Sequence, residues 1–193
     1  MLNRILNVML LACSLWAWSS TLVAAQPGPP ALELNVKRVS SVQDGTIYQI
    51  ASSGIVAATP AVVWRVLTDY NHLADYVPDL DSARVVSRNG DQVTVEQLGT
   101  AHFLFFRHAI HLLVQVHEQA PNKIDISLID GDMKVYRASW ELIPSADASS
   151  TRVMYNATIE PKFYVPEIVG ESLIRKDIAK MMTAVLLRVN EQK

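Results

Sequence analysis

Between Val36 and Glu160 the chain changes side-chain character at every second residue, stretch after stretch, and at Pro166 the period changes. The clearest stretch is His108–Glu118. Ile110, Leu112, Val114 and Val116 fall on one face, and His111, Gln115 and His117 on the other. That is the pattern of a half-buried antiparallel strand. Tyr136, Ala138, Trp140 and Leu142 make a second such face; Val153, Tyr155, Ala157 and Ile159 make a third. From about Pro166 to Asn190, Ile174, Ile178, Met181, Met182, Val185 and Val189 share one side of a helix. Arg175, Lys176, Lys180 and Thr183 lie away from it, so this helix is amphipathic. A sheet with one apolar face and one long amphipathic helix bury both surfaces when the helix lies across the sheet.

The punctuation fits that plan. Asp44-Gly45 is a hairpin signal between Val36–Val42 and a first long strand, Ile47–Ala57. Thr59-Pro60 opens a helix, with Thr59 as N-cap and Pro60 at the first helical position. Val63, Val66, Leu67 and Tyr70 then recur at helical spacing. A short second helix is predicted over Asn71–Tyr76, ended by Pro78. Further strands are predicted at Arg84–Ser87, Gln92–Phe105, His108–Glu118, Ile124–Asp130, Lys134–Leu142 and Arg152–Glu160. The fold class is α+β.

The N-terminus reads as a targeting segment. Arg4 is the one charged side chain before Glu33, an apolar stretch runs from Ile5 to Val23, and Val23-Ala24-Ala25 supplies the small residues of a cleavage site. Residues 1–25 are therefore expected to be a signal peptide, with Gln26 as the mature N-terminus and a periplasmic or secreted product. Two rivals stay open. An uncleaved anchor would need about 20 mainly apolar residues, and Asn7, Ser14, Ser19, Ser20 and Thr21 weaken such a span. Leu10-Leu11-Ala12-Cys13 resembles a lipobox, but the apolar run before Cys13 is very short. Residues 26–35 form a proline-rich leader, stiff where Gln26-Pro27-Gly28-Pro29-Pro30 stands. Residues 36–193 suffice for one domain with its own core.

Composition excludes several classes. The formal charge is −2; removing the signal peptide takes away Arg4 and no acid, leaving −3. Basic residues are scattered without a stripe, so the footprint of nucleic-acid binding is missing. Cys13 is the single cysteine. A chain cleaved after Ala25 has neither a disulfide framework nor a thiol nucleophile. His102, His108, His111 and His117 invite a metal reading. His111 and His117 share a face but stand ~20 Å apart at ~3.3 Å per residue. His102 reaches either one only across a hairpin. Without a carboxylate or cysteine two histidines make a weak site, and no metal or cofactor is expected. Asp69, Asp75, Asp79 and Asp81 cluster in a loop-rich segment where aspartate caps and turns.

Three signatures stand in fixed order: Asp69-Tyr70-Asn71-His72-Leu73-Ala74-Asp75-Tyr76-Val77-Pro78, then Gly131-Asp132-Met133-Lys134-Val135-Tyr136-Arg137-Ala138-Ser139-Trp140, then Glu160-Pro161-Lys162-Phe163-Tyr164-Val165-Pro166. Together, over roughly residues 47–190, they resemble the START-like (SRPBCC) superfamily, in its polyketide cyclase/dehydrase and coenzyme Q-binding branch. The resemblance implies a helix-grip fold: a curved antiparallel sheet wrapped around a long C-terminal helix, with two short helices after the first strand and an apolar cavity inside. It places the first signature beside the cavity mouth, and it supplies no universal catalytic set. The expected function is an exported, non-catalytic binding protein for a hydrophobic small molecule, such as a lipid, an isoprenoid quinone or a polyketide-like compound. A cyclase or dehydratase acting on a polyketide-like substrate is the alternative, and an envelope protein-interaction module the second. Ligand-binding candidates are Leu112, Val114, Tyr136, Trp140, Tyr155, Phe163, Ile178, Met181, Met182 and Val185. Tyr136, Tyr155, Arg137 and Glu171 are candidate positioning groups. A monomer is expected, and a transient membrane contact is allowed for.

Overall fold

The computed structural model describes residues 31–40, 45–103 and 106–192. The targeting segment, Cys13 and the predicted strand ends at 41–42 and 104–105 lie outside the described residues. Eight strands form one sheet: β1 (Leu32–Ser40), β2 (Thr46–Val56), β3 (Leu80–Asn89), β4 (Gln92–Phe103), β5 (Phe106–Gln119), β6 (Lys123–Gly131), β7 (Met133–Pro144) and β8 (Thr151–Pro161). Helix α1 (Pro60–Thr68) and a short 3-10 helix (Tyr70–Asp75) link β2 to β3, and helix α2 (Glu167–Glu191) follows β8. The spatial order is β1-β2-β8-β7-β6-β5-β4-β3, with every neighbour antiparallel. This is the open, curved sheet and C-terminal helix of the helix-grip fold.

The alternation in sequence becomes the two faces of this sheet. Val93 and Val95 of β4 and Val114 and Val116 of β5 are buried against the interior. Gln115 and His117 point outward, where His117 meets Asp91 at 3.1 Å. Helix α2 lies over the β1–β2 side and against α1. Met182, Val185, Leu186 and Val189 are buried there. Contact is close at Gly54 of β2, where a Cβ would stand 2.5 Å from Leu186 Cδ1 and 2.9 Å from Leu32 Cδ2. The missing side chain is what lets the helix sit this low. Arg175 then donates to the carbonyls of Leu34 (3.0 Å) and Val36 (3.3 Å), which ties α2 to the edge strand.

The family-like signatures act as staples. Asp132 folds back over β5: its Oδ2 accepts from His111 N at 2.7 Å, and its own N–H donates to His111 O at 2.9 Å. Gly131 makes that crossing with φ 129°, and a Cβ there would collide with the His111 carbonyl. Tyr70 Oη donates to Glu118 Oε1 (2.9 Å), and Arg88 grips the same carboxylate with two bonds, at 2.8 and 3.0 Å. Tyr76 Oη donates to the carbonyl of Val66 at 3.1 Å. The 3-10 helix is thereby fixed to both α1 and the sheet.

Three expectations are corrected. The first strand begins at Leu32, so the end of the 26–35 leader belongs to the sheet. The strand predicted at Arg84–Ser87 extends over Leu80–Asn89. Register shifts between Leu80 and Ser82 and between Val85 and Ser87 break the alternation that would have shown its length. Thr59 holds the N-cap position with extended backbone, but its side chain makes no capping hydrogen bond.

Leu186 and Leu187 are adjacent, yet one is fully buried and the other 45 % exposed. Leu186→Ala is expected to lower stability by ~2–5 kcal/mol through the cavity it leaves, and Leu187→Ala by less than ~0.5 kcal/mol. Urea unfolding of the two variants checks this.

Candidate functional site

One long helix does not fill the inner face of eight strands. Between α2 and the concave face lies a cavity of about 320 Å³. Its floor is Tyr136 and Trp140 of β7, Tyr155 and Ile159 of β8, and Ile124 and Ile126 of β6. Its far wall is Ile110, Leu112, Val114 and Val116 of β5 with Val95 and Gln97 of β4. Ile178, Met181 and Val185 of α2 close the top, and Leu67, Tyr70 and Leu73 close one end. A wider concavity of about 720 Å³ lies among Gln49, Gln115, Arg137 and Asn156. It is shallow and polar, on the solvent side of the sheet.

The cavity reaches the surface where Val77, Pro78, Asp79, Thr100 and Asp177 line it. An ionic bridge spans this mouth. Lys180 of α2 donates to Asp79 at 2.9 Å and to Asp177 at 3.2 Å, and His102 Nδ1 stands 3.3 Å from Asp79. The bond to Asp79 raises the pKa of the Lys180 ammonium, with Asp177 assisting. Asp79 itself has φ 65°, and its carbonyl accepts from Thr100 N at 2.9 Å. The turn is thus locked to β4 while its carboxylate faces the helix.

Inside, the chemistry is spare. The phenol side chains of Tyr136 and Tyr155 both line the cavity. Trp140 lies against Tyr155, ring centroids 4.7 Å apart. Burial raises the pKa of both phenols, that of Tyr155 well above the ordinary 10. The phenols are therefore hydrogen-bond donors rather than bases. No lysine, arginine or histidine is among the described lining residues.

Of the candidates read from the sequence, Leu112, Val114, Tyr136, Trp140, Tyr155, Ile178, Met181 and Val185 surround this cavity. Phe163 and Met182 do not. Phe163 belongs to the link before α2 and packs on His108, centroids 4.2 Å apart. Met182 is fully buried outside the cavity lining. Successive helical residues are turned ~100° apart, so Met181 and Met182 face different neighbours. Arg137 lies on the outer face and Glu171 pairs with Arg175 at 3.1 Å, so neither faces the cavity. The histidines disperse: His111 to Glu96 at 3.1 Å, His117 to Asp91, His102 to Asp79. The bond from His111, aided by Arg84, holds the Glu96 carboxyl below its ordinary pKa. Among the described residues no three potential metal ligands converge. Gln97 and Tyr70 were missed. The alternation Val93, Val95, Gln97 already placed Gln97 on the inner face.

A container of this architecture is a START-like domain, and the comparisons agree. Residues 56–186 match the family described as polyketide cyclase / dehydrase and lipid transport. The match spans more than half of the chain, and the chain belongs to that family. A START superfamily protein from Mycobacterium smegmatis superposes with a TM-score of 0.65 at 16% identity, covering 75% of this chain and 99% of its own. The Zhui aromatase/cyclase from a Streptomyces species gives 0.63 at 12% identity, over 75% and 94%. A STAR-related lipid transfer protein from Xanthomonas axonopodis gives 0.61 at 12% identity, over 80% and 98%. These likenesses show a shared fold. Comparison with curated proteins finds no match. Family and fold together make this a hydrophobic ligand-binding START-like domain.

The buried phenols predict a pH response. The folded chain holds these protons more tightly than the unfolded chain, whose phenols ionise near 10. Their contribution is complete below that pH and is lost as pH rises toward the folded-state value. Tyr155→Phe is expected to flatten the fall in stability between about pH 9 and 11, as followed by urea unfolding at stepped pH.

Proposed function

We propose that this protein is an exported carrier that holds a lipid, an isoprenoid quinone or a polyketide-like molecule in its cavity without transforming it. The apolar cavity carries this reading, because apolar pockets with few polar groups bind small apolar molecules. The lining chemistry favours holding over catalysis. A cyclase needs a group that takes up protons near neutral pH, and the interior phenols are kept protonated by burial. The carboxylates at the mouth are occupied by Lys180. The cyclase alternative is supported by the structural likeness to an aromatase/cyclase. Export is supported by the lone Arg4, the apolar run and Val23-Ala24-Ala25.

Native mass spectrometry of the protein purified from its own host tests the carrier reading. A retained apolar ligand is the expected result, and a chemically altered product released on turnover would favour the cyclase. Met181→Trp, which pushes a larger ring into the cavity top, is expected to abolish retention at a packing cost of ~1–3 kcal/mol. A folded variant with unchanged retention would move the binding site elsewhere. Intact-mass measurement is expected to show a chain starting at Gln26; a lipidated Cys13 or a retained Met1 would overturn export by cleavage.

A further inference from the structure

The outer face of the sheet carries a feature for which the cavity has no use. Strand register sets two polar rows side by side across it. One row runs Gln49, Thr158, Arg137, Ser127 and Gln115; the other runs Asn156, Ser139, Asp125 and His117. Both rows line the concavity of about 720 Å³. The longer one crosses from β2 to β5, ~19 Å at ~4.8 Å per strand step. At the margins the polar groups are paired. Ser53 and Arg152 hold Glu33 at 2.9 and 3.3 Å, Lys123 and Gln119 hold Asp125 at 3.0 and 2.7 Å, and His117 meets Asp91 at 3.1 Å. Along the middle of the trough the pattern reverses. Gln49, Ser127, Arg137, Ser139, Asn156 and Thr158 make no side-chain hydrogen bond or ion pair among the described residues. Arg137 is exposed, and its register partners on both sides, Ser127 and Thr158, carry hydroxyls.

We propose that this trough is a second binding site, separate from the cavity, and that it takes a linear oligosaccharide bearing carboxylates, of the uronic-acid type. Arg137 presents a planar fork that pairs with a carboxylate through two parallel bonds. The hydroxyls and carboxamides around it both donate and accept, as sugar hydroxyls require. The length of the rows suits a chain of sugars rather than a single ring. One unpaired guanidinium among neutral groups, with Asp125 close by, does not suit a nucleic acid or a run of successive carboxylates. The apolar residues that border the trough, Ile50, Ala138 and Ala157, are buried on the inner face, so the apolar side chains of a peptide find no recess. No aromatic ring is among the lining residues, so affinity rests on hydrogen bonds and one ion pair. A dissociation constant of ~1 mM is expected. The site does not depend on the carrier reading.

The test is an NMR titration of the isotope-labelled mature protein at neutral pH and low salt, with trigalacturonate as the probe. The comparators are maltotriose, an uncharged trisaccharide, and triglutamate, a peptide with a carboxylate on every side chain. Trigalacturonate is expected to shift the backbone amides of the trough residues in β2, β8, β7 and β6. It is expected to bind about tenfold more tightly than maltotriose, the advantage of one charge-assisted pair. Arg137→Gln is expected to remove that advantage and to leave maltotriose binding unchanged. Arg137 is exposed and without a protein partner among the described residues, so its replacement keeps the fold. The double variant Ser139→Ala, Asn156→Ala is expected to weaken both saccharides, through lost hydrogen bonds to sugar hydroxyls. Equal binding of the two trisaccharides by the wild type would overturn the proposal. So would an advantage that persists in Arg137→Gln, or tighter binding of triglutamate, which would make the trough a peptide site. Shifts confined to the cavity lining, or no shifts from any probe at about 10 mM, tenfold above the expected constant, would overturn it as well. None of these results bears on the carrier reading, which rests on the cavity.

Discussion

Everything in this fold follows from a mismatch of area. Eight antiparallel strands present one continuous apolar face, and a single long helix is available to cover it. The helix settles on the β1–β2 side, where Gly54 admits Leu186. The rest of the face has to curl toward the helix to escape water, and it cannot close completely. What remains between Val95, Val114, Tyr136 and Met181 is apolar and empty of protein. A void of this kind forfeits dispersion contacts on every wall. It persists because the walls are held from outside, by the ladder and by the polar staples.

Those staples give the recognisable sequence signatures a structural role. Each uses polar side chains to pin a segment whose backbone leaves regular structure. Asp132 pins the β6–β7 turn to β5, and Tyr70, Glu118 and Arg88 pin the 3-10 helix to the sheet. Glu160, buried at the end of β8, meets Lys134 at 3.3 Å. Asp132, Arg88, Glu118 and Glu160 position the container from outside its lining, while Tyr70 both pins the 3-10 helix and closes one end of the cavity. Variation of cavity lining on an unchanged frame is then physically easy, because the lining is mostly aliphatic and the frame is bonded elsewhere.

The strands and both faces of the sheet were legible in the sequence, since a period of two is preserved wherever one face is buried. Of the ten ligand-binding candidates, eight stand around the cavity, where the same period combined with the helical one puts them. The failures have physical causes. Met181 and Met182 belong to adjacent stripes of one helix, a distinction the broad apolar side of α2 does not reveal. Leu186, fully buried, widens the apolar stripe beyond Val185 and Val189. Phe163 sits in an irregular link where no period applies. Gln97 was hidden by its polarity: alternation put it inside, while its chemistry suggested solvent. Register shifts concealed the extent of β3. The hydrogen bonds that pin the turns are long-range, and no local pattern encodes them.

Helix α2 is unevenly anchored along its length. Its second half carries Met182, Leu186 and Val189, fully buried. Its first turns carry Ile168, 98 % exposed, beside Gly170, which is buried against Tyr48 and Val165, and Arg175 bonds the edge strand. Local opening free energy falls where apolar burial is scarce and surface polar bonds dominate. The second half of the helix holds most of its fully buried side chains, while in the first half Ile174 and Ile178 are only partly buried against the core. The same helix serves as core at its C-terminal end and as cavity wall at its middle, so one element carries both the stability of the domain and the shape of its interior.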